Sequence, residues 1–341
     1  MASREGPVWS RRAARRAGTE APEQRTLGQA TFAYARLAWG FPLWCMTPRP
    51  AHYSGIASAS ALFFETCLEP VPNADHETGL SKFDMTDAVD VVIVASAFGM
   101  DAVRTHGHLK WADASKRAGA TGFEVRRELF ADEADAAPQA LRALGKEIAA
   151  LGLWSVYSTP ASLYTPDGGL DADALRASIE EAIALGARFV KLQLGGFGAE
   201  ANAAVIADYM RCADVRLVVE NGQLADGGSL AQFTGLFDAL EREGHAGLLG
   251  MTFDIGNWAW RDVAPLDAAV PLAAHVEYIH CKTTVGEGAR RFPAAPAAGD
   301  TQFAAVLDKL PRHVPRGIEF PFDANRIDAD AAHYVAWLAA A

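Results

Sequence analysis

The sequence predicts an α/β fold, a (β/α)8 TIM barrel preceded by a poorly structured N-terminal extension. From about residue 85 onward, strand-like runs alternate eight times with helix-like runs, without a break in composition. Such regular alternation favours one closed parallel barrel over a doubly wound sheet. Counting from Met85 leaves 257 residues (341 − 84), close to the ~250 typical of this barrel.

Each predicted strand is a short run of apolar or β-branched residues, and each predicted helix shows apolar residues at helical spacing between start and stop signals. The valine-rich run at residues 89–98 is typical of a parallel strand buried on both faces. The other strands are predicted over residues 122–127, 153–157, 189–194, 216–220, 248–253, 276–281 and 317–320. Asp171 and Ser229 are predicted N-caps. The helices are predicted over residues 109–118, 138–151, 171–185, 199–212, 229–243, 266–274, 300–310 and 330–340.

The first 84 residues differ from the rest, with arginine pairs at positions 11–12 and 15–16 and a middle rich in Ala, Pro and Ser. A twin-arginine export signal would need an apolar run soon after the arginines, but a polar stretch with Pro22 follows. An organelle transit peptide would lack Glu20 and Glu23. We therefore predict that residues 1–84 are a disordered or loosely packed extension, or an upstream start assignment, and that residues 85–341 form the barrel.

The amino-acid composition limits which partners and which cellular compartment we expect for the protein. The formal net charge of −11 disfavours a nucleic acid or an anionic membrane as partner, so a small-molecule substrate fits better. The four cysteines are too sparse for a disulfide scaffold, and a reduced, cytoplasmic protein is the expectation. The sequence contains no run of 18 uninterrupted apolar residues, so we predict no membrane span. The sequence leaves open whether the protein forms a homo-oligomer.

Four residues that can bind a metal end four of the predicted strands: Glu220, Asp254, His280 and Glu319. Alternation along each strand places each of them last on its own face. In a parallel barrel these strand ends meet at one mouth, where the four side chains would converge. Three carboxylates left unpaired in an apolar barrel would be costly, and a shared divalent cation would remove that cost.

The oxygen-rich donor set with one nitrogen favours Mn²⁺ or Mg²⁺, with Co²⁺ and Zn²⁺ as alternatives. The competing interpretation is that each acidic residue merely begins a loop. That interpretation is harder to hold for four residues at the ends of four strands.

At these positions residues 88–341 resemble the xylose isomerase-like TIM barrels, which include tagatose 3-epimerase-type sugar epimerases, hydroxypyruvate isomerase, inosose dehydratase and endonuclease IV. The resemblance rests on Gly122-Phe123-Glu124-Val125-Arg126, Val219-Glu220-Asn221, Phe253-Asp254-Ile255-Gly256-Asn257, Ile279-His280-Cys281-Lys282, Gly299-Asp300 and Ile318-Glu319. It implies a metal-dependent sugar isomerase or epimerase that works through an enediolate. Glu220 and Glu319 would then be metal ligands that also act as acid and base.

The sequence also departs from this family's pattern. Asn257 stands where many members have a histidine that touches substrate, and Thr283 stands where many have an acidic residue. Histidines of the endonuclease branch are missing, which disfavours a trinuclear site. Two alternatives stay open: a metal-dependent dehydratase of a cyclic polyol or dehydroshikimate-like acid, and a noncatalytic barrel that keeps the metal site.

Around the predicted metal site we expect further residues to contact substrate. Lys282 shares a strand face with His280, and Gln193 lies near the mouth on the fourth strand. Trp258 would stack on a sugar, and Arg290, in the long loop after the seventh strand, would hold an anionic group. The predicted substrate-binding set is Asn257, Trp258, Lys282, Gln193 and Arg290. His106 and His108, after the first strand, are expected to be structural.

Overall fold

A closed parallel barrel of eight strands forms the protein core, which confirms the predicted fold class. The computed structural model describes residues 89–223 and 227–341. In order around the barrel the strands are β1 Val91–Val94, β10 Arg316–Ile318, β7 Val276–His280, β6 Gly250–Asp254, β5 Arg216–Glu220, β4 Phe189–Gly195, β3 Trp154–Tyr164 and β2 Gly122–Arg126. The predicted extension over residues 1–84 lies outside the described residues, and the domain boundary stays a prediction.

Helices surround the barrel. They are α1 Met100–His106, α2 His108–Arg117, α3 Pro138–Ala150, α4 Ala172–Leu185, α5 Ala203–Met210, α6 Leu230–Arg242, α7 Pro265–Leu272, α8 Thr301–Leu307 and α9 Ile327–Ala340. In the part of the chain that the structure describes, no helix is both long and apolar enough to cross a bilayer. The compartment stays a prediction.

Both predicted N-caps, Asp171 and Ser229, cap their helices through their side chains. The Asp171 carboxylate accepts a hydrogen bond from the Ala174 backbone N–H at 2.9 Å and begins α4. Ser229 begins α6 with a reciprocal capping box to Gln232. These bonds satisfy backbone donors that a helix leaves free at its N-terminus, and for that reason the sequence pattern locates these two starts well.

Besides shifts of a few residues at the ends of several elements, three elements differ from the prediction. The first strand stops at Val94, because residues 95–98 turn into a 3-10 helix. The first helix is two helices, which meet at Gly107 with a φ of 75° that interrupts the helix. Strand β3 continues to Tyr164, seven residues beyond the predicted end at Tyr157, and an irregular register between Ser158 and Ser162 accommodates Pro160.

The loop after β7 contains a hairpin that the sequence did not predict. Its strands are β8 Thr283–Val285 and β9 Phe292–Ala294, which pair antiparallel. Each strand has only three residues, too short for a recognisable alternation of apolar and polar positions.

Two apolar clusters stabilise the barrel. The larger one fills the layer between the strands and the helices. The smaller one packs in the barrel interior and consists of Val92, Val156, Phe189, Val218 and Tyr278. On β5 and β7 the next inward-facing residues after Val218 and Tyr278 are Glu220 and His280, so the apolar interior layer directly supports a polar one.

Candidate metal centre

The four predicted metal ligands converge at the carboxyl ends of neighbouring strands. Glu220, Asp254 and His280 are the last residues of β5, β6 and β7, and Glu319 directly follows β10. Their relative exposures are 3%, 0%, 0% and 8%, so all four are buried. One ligand atom from each lies within 4.8 Å of the others. Strand order and alternation thus bring together residues that are up to 99 positions apart (319 − 220).

Each carboxylate ligand has one oxygen that is held from outside the cluster. The outer oxygen of Glu220, Oε2, accepts hydrogen bonds from Lys191 Nζ at 2.7 Å and Gln193 Nε2 at 2.8 Å. The outer oxygen of Asp254, Oδ1, accepts one from the Asn257 backbone N–H at 3.0 Å. These contacts fix the carboxylate planes, so the second oxygen of each group faces the cluster.

The remaining two candidate ligands, Glu319 and His280, are also held by partners outside the cluster. Arg126 Nη1 donates to Glu319 Oε1 at 2.5 Å, and its Nε donates to Glu128 Oε1 at 2.8 Å. On the far side of the imidazole, His280 Nε2 lies 2.9 Å from Glu124 Oε2. A neutral His280 that donates from Nε2 to Glu124 leaves the lone pair of Nδ1 for the cluster.

Four inward atoms therefore face one another. His280 Nδ1 lies 2.8 Å from Glu220 Oε1, 2.9 Å from Glu319 Oε2 and 3.7 Å from Asp254 Oδ2. Although buried, Glu220 Oε1 and Asp254 Oδ2 have no aligned hydrogen-bond donor. Buried acceptors of this kind are costly unless a cation or a donor satisfies them.

Lys282 also reaches the inward-facing oxygens of the cluster. Its Nζ lies 2.7 Å from Asp254 Oδ2 and 2.6 Å from Glu319 Oε2. Only the contact with Glu319 has the geometry of a hydrogen bond; the ammonium lies near Asp254 Oδ2 as a charge. Lys282 is itself buried, so these two carboxylates compensate its charge.

Close packing beneath the cluster orients His280. The Tyr278 ring meets the imidazole edge-on, with centroids 4.9 Å apart, and its hydroxyl donates to Glu124 Oε2 at 3.0 Å. A Cβ at Gly317 would lie 2.4 Å from the Tyr278 hydroxyl and 2.9 Å from His280 Cδ2. Glycine at position 317 therefore gives these two side chains the space they occupy.

Two asparagines link the ends of β5 and β6. Asn221 Nδ2 donates to the Asp254 carbonyl at 3.0 Å, and the Asp254 N–H donates to Asn221 Oδ1 at 2.8 Å. Asn257 Nδ2 donates to the Asn221 carbonyl at 2.8 Å. Asp254 is thus held through its backbone as well as its side chain.

The three carboxylates of the cluster differ in the direction in which their surroundings shift their pKa values. Burial opposes ionisation of Glu220, but the charges of Lys191 and His280 outweigh it and lower its pKa. Burial likewise opposes ionisation of Glu319, and Lys282 and His280 lower its pKa well below the usual range. For Asp254, burial dominates over the Lys282 charge, and its pKa is raised.

The pKa of His280 is raised well above its usual value. Burial and the charge of Lys191 oppose protonation, but Glu319, Glu124 and Glu220 together outweigh them. Without a cation, the surrounding carboxylates therefore favour the imidazolium. Binding of a divalent cation at Nδ1 would require the neutral imidazole and release that proton.

The residues present fit a divalent cation. Three carboxylate oxygens and one imidazole nitrogen converge, two of the oxygens lack an aligned donor, and Glu124 supports the histidine from behind. Hard divalent ions such as Mn²⁺ and Mg²⁺ prefer such oxygen-rich sets. The four-residue cluster could therefore hold a metal ion.

Three of the predicted substrate-contact residues lie at the cluster: Lys282, Gln193 and Asn257 contact the candidate ligands directly. Trp258 does not, and its predicted role in stacking on a sugar is corrected. Its ring is fully buried and packs edge-on against Phe233, so it presents no face to a ligand. Arg290 is exposed in the turn of the hairpin, and no contact among the described residues brings it to the cluster.

Three residues that hold the cluster were not predicted as site residues: Glu124, Lys191 and Arg126. Glu124 Oε1 lies 3.3 Å from Lys191 Nζ, and both side chains are buried in the barrel interior. A charged residue in the middle of a predicted buried strand is a signal that sequence could have supplied. It does not reveal which partner each charge would find across the barrel.

The comparisons with known proteins agree with the barrel fold. Residues 112–338, more than half of the chain, match the family model of the xylose isomerase-like TIM barrel. No curated protein matches the sequence.

Three solved structures illustrate the likeness. D-psicose 3-epimerase from Clostridium cellulolyticum H10 is 9% identical with a TM-score of 0.55, and the match covers 73% of this chain and 98% of that one. D-allulose 3-epimerase from Methylomonas sp. is 11% identical with a TM-score of 0.52 over 73% and 97%. An L-ribulose 3-epimerase is 19% identical with a TM-score of 0.52 over 73% and 93%. At these identities the likeness establishes the fold alone, and the match to the family model establishes membership: the chain belongs to the xylose isomerase-like TIM barrel family.

Proposed function

We propose that this protein is a divalent-metal-dependent isomerase or epimerase of a small sugar or related α-hydroxy carbonyl compound. The observation that carries the proposal is the inward turn of four ligand atoms, from Glu220, Asp254, His280 and Glu319, each with its other polar atom held from outside. Preorganised ligands of this kind suit a bound cation and a reaction that develops negative charge beside it.

The cation would supply Lewis acidity, polarising the substrate carbonyl and stabilising negative charge on its oxygen. Glu220 and Glu319 would do the proton chemistry. One would take the proton from the carbon next to the carbonyl, which gives an enediolate, and the other would return a proton to carbon. Epimerisation needs a group on each side of the substrate, and Glu220 and Glu319, whose inward oxygens lie 2.8 and 2.9 Å from His280 Nδ1, would provide these groups.

The electrostatics support these roles. The lowered pKa values of Glu220 and Glu319 favour the carboxylate, the form in which one of them would accept the proton from carbon. The other would return a proton to carbon after taking one up from solvent water. Lys191 and Arg126 hold their outer oxygens in place. Asp254, whose pKa is raised, would serve as a metal ligand only.

The comparisons support the same reaction class, because the structures that this fold resembles include sugar 3-epimerases. Of the metals, Mn²⁺ or Mg²⁺ suits the donor set best, with Co²⁺ or Zn²⁺ as alternatives. We include Gln193, Lys282 and Asn257 as residues that would contact or orient the substrate, since they border the cluster.

Metal analysis of the purified protein, followed by deuterium exchange from solvent into a panel of ketoses and inososes, tests the proposal. We expect bound divalent metal, deuterium at the carbon next to the carbonyl, and loss of exchange by more than about a hundredfold in Glu220→Gln and Glu319→Gln. Glu241→Gln, at an exposed position on α6, is the matched control. Release of water from a cyclic polyol would instead identify a dehydratase.

The noncatalytic alternative gives a different result. A protein that binds no Mn²⁺, Mg²⁺, Co²⁺ or Zn²⁺, and whose Glu220→Gln and Glu319→Gln variants keep wild-type ligand binding and stability, would exclude the proposed activity.

A further inference from the structure

The two buried lysines of the cluster bind different oxygens of the metal ligands. Lys191 Nζ donates to the outer oxygen of Glu220, 2.7 Å away, and Glu124 lies on its other side at 3.3 Å. Lys282 Nζ lies 2.7 Å from the inward oxygen of Asp254 and 2.6 Å from the inward oxygen of Glu319. The two lysines are similar in charge and burial, but Lys191 contacts an outer oxygen, whereas Lys282 contacts two oxygens that face the candidate metal site.

The contacts of Lys282 are those that a metal ion would need. An ammonium and a divalent cation both bind carboxylate oxygens through the same lone pairs, and two positive charges a few ångströms apart in a buried site repel strongly. Asp254 Oδ2 and Glu319 Oε2 also face His280 Nδ1, which places them on the ligand side of the cluster. Lys282 therefore contacts two oxygens of the four-ligand set.

The contacts of Lys191, unlike those of Lys282, leave the inward oxygen of its carboxylate partner Glu220 uncovered. By holding Glu220 Oε2 together with Gln193, it leaves Glu220 Oε1 turned inward, 2.8 Å from His280 Nδ1. Its charge is balanced by Glu124, which is outside the ligand set. Removing Lys191 would loosen the hold on Glu220 Oε2 and would take the Lys191 ammonium away from Glu124.

We propose that Lys282 is an internal competitor of the divalent cation: its ammonium occupies the inward oxygens of Asp254 and Glu319 and must move aside for a metal to bind. Lys282 thereby weakens metal affinity, whereas Lys191 strengthens it by positioning Glu220. The four-carbon side chain of lysine allows this movement, because its ammonium can swing about several single bonds. The inference rests on the proposed metal-dependent function and adds a determinant of metal affinity to it.

Titration calorimetry with Mn²⁺ on the full-length protein tests this competition in wild type, Lys282→Met and Lys191→Met. Methionine keeps a long flexible side chain and removes the charge. We expect Lys282→Met to bind Mn²⁺ at least about tenfold more tightly, because a competing charge is removed. Lys191→Met is expected to bind it at least about tenfold more weakly, as is usual when an outer partner of a metal ligand is lost.

Thermal unfolding gives a second readout that does not depend on activity. In the presence of a chelator, Lys282→Met is expected to unfold below wild type, because the inward oxygens of Asp254 and Glu319 lose the Lys282 ammonium. Saturating Mn²⁺ is expected to raise its midpoint by more than it raises that of wild type. Lys282→Gln repeats both measurements if the methionine variant does not fold, and Lys282→Arg, which keeps the charge, is expected to show no tightening.

The outcomes separate this inference from the proposed function. Wild-type binding of Mn²⁺ with equal or weaker binding by folded Lys282→Met and Lys282→Gln would overturn the competition and leave the metal-dependent function standing. Binding by Lys282→Met alone would support the competition. No binding of Mn²⁺ by wild type or by either variant would overturn both.

Discussion

His280 Nε2 lies 2.9 Å from Glu124 Oε2, on the opposite side of the imidazole from the nitrogen that faces the three carboxylate ligands. Glu124 is fully buried and its pKa is about 2, since Lys191 and His280 outweigh the burial that opposes its ionisation. It is therefore a permanent acceptor that orients the histidine.

Replacing Glu124 with Gln is expected to weaken Mn²⁺ binding about 10- to 100-fold, because the amide accepts less strongly from His280 Nε2 and can rotate its NH₂ toward it. Calorimetric titration of Mn²⁺ checks this. Tyr278→Phe is the control, since it removes only the hydroxyl bond to the same carboxylate. An unchanged affinity in Glu124→Gln would show that packing alone orients His280.

Asn221→Ala is expected to lower the free energy of unfolding by about 2–4 kcal/mol, because one buried side chain satisfies both the N–H and the carbonyl of Asp254. Urea unfolding measures the change. Asn325→Ala, at an exposed position, is expected to change it by less than about 0.5 kcal/mol. Similar values for the two variants would contradict the structural role of Asn221.

Gly145→Ala is expected to destabilise the protein by about 1–3 kcal/mol or more, although alanine favours a helix by about 1 kcal/mol over glycine. A Cβ at position 145, on α3, would lie 1.9 Å from the Leu185 carbonyl oxygen on α4, so backbone must move. Gly235→Ala on α6, where the nearest atom would be Phe197 Cε1 at 3.5 Å, is the matched control and is expected to be neutral or stabilising. Thermal and urea unfolding of both variants measure the difference, and equal stabilisation would refute the close approach.

Acid is expected to destabilise the protein through His108, one of the histidines predicted to be structural. His108 is buried, and burial lowers its pKa from 6.5 to about 4; its Nε2 lies 3.1 Å from the Arg126 carbonyl oxygen. Between pH 6.5 and 4 the unfolded chain takes up a proton that the folded protein does not, so stability falls as pH falls through this window. The contribution is at most about 3 kcal/mol.

Urea unfolding at pH 8 and pH 5 in wild type and His108→Gln checks this contribution. Glutamine keeps a hydrogen-bonding group without titrating, so the variant is expected to lose less stability on going to pH 5. An equal loss in both proteins would show that other groups govern the acid sensitivity.

The barrel and the convergence of the four candidate ligands could be predicted because both depend on short-range pattern. Alternation within a strand decides which face Glu220 and His280 occupy, and capping residues such as Asp171 locate helix starts. Where local pattern is ambiguous the prediction failed. The third strand is predicted to end at Tyr157, yet β3 continues to Tyr164, because β4 pairs with it on either side of the irregular register.

The sequence by itself determined the fold class and the strand on which each candidate ligand lies, since backbone periodicity and strand order specify both. Only the tertiary structure decided which oxygen of each carboxylate turns inward. That choice depends on partners from other strands, such as Arg126 for Glu319 and Lys191 for Glu220, whose distances follow from barrel closure and not from sequence spacing. The same closure placed Lys282 on the inward oxygens and Trp258 in the core packing.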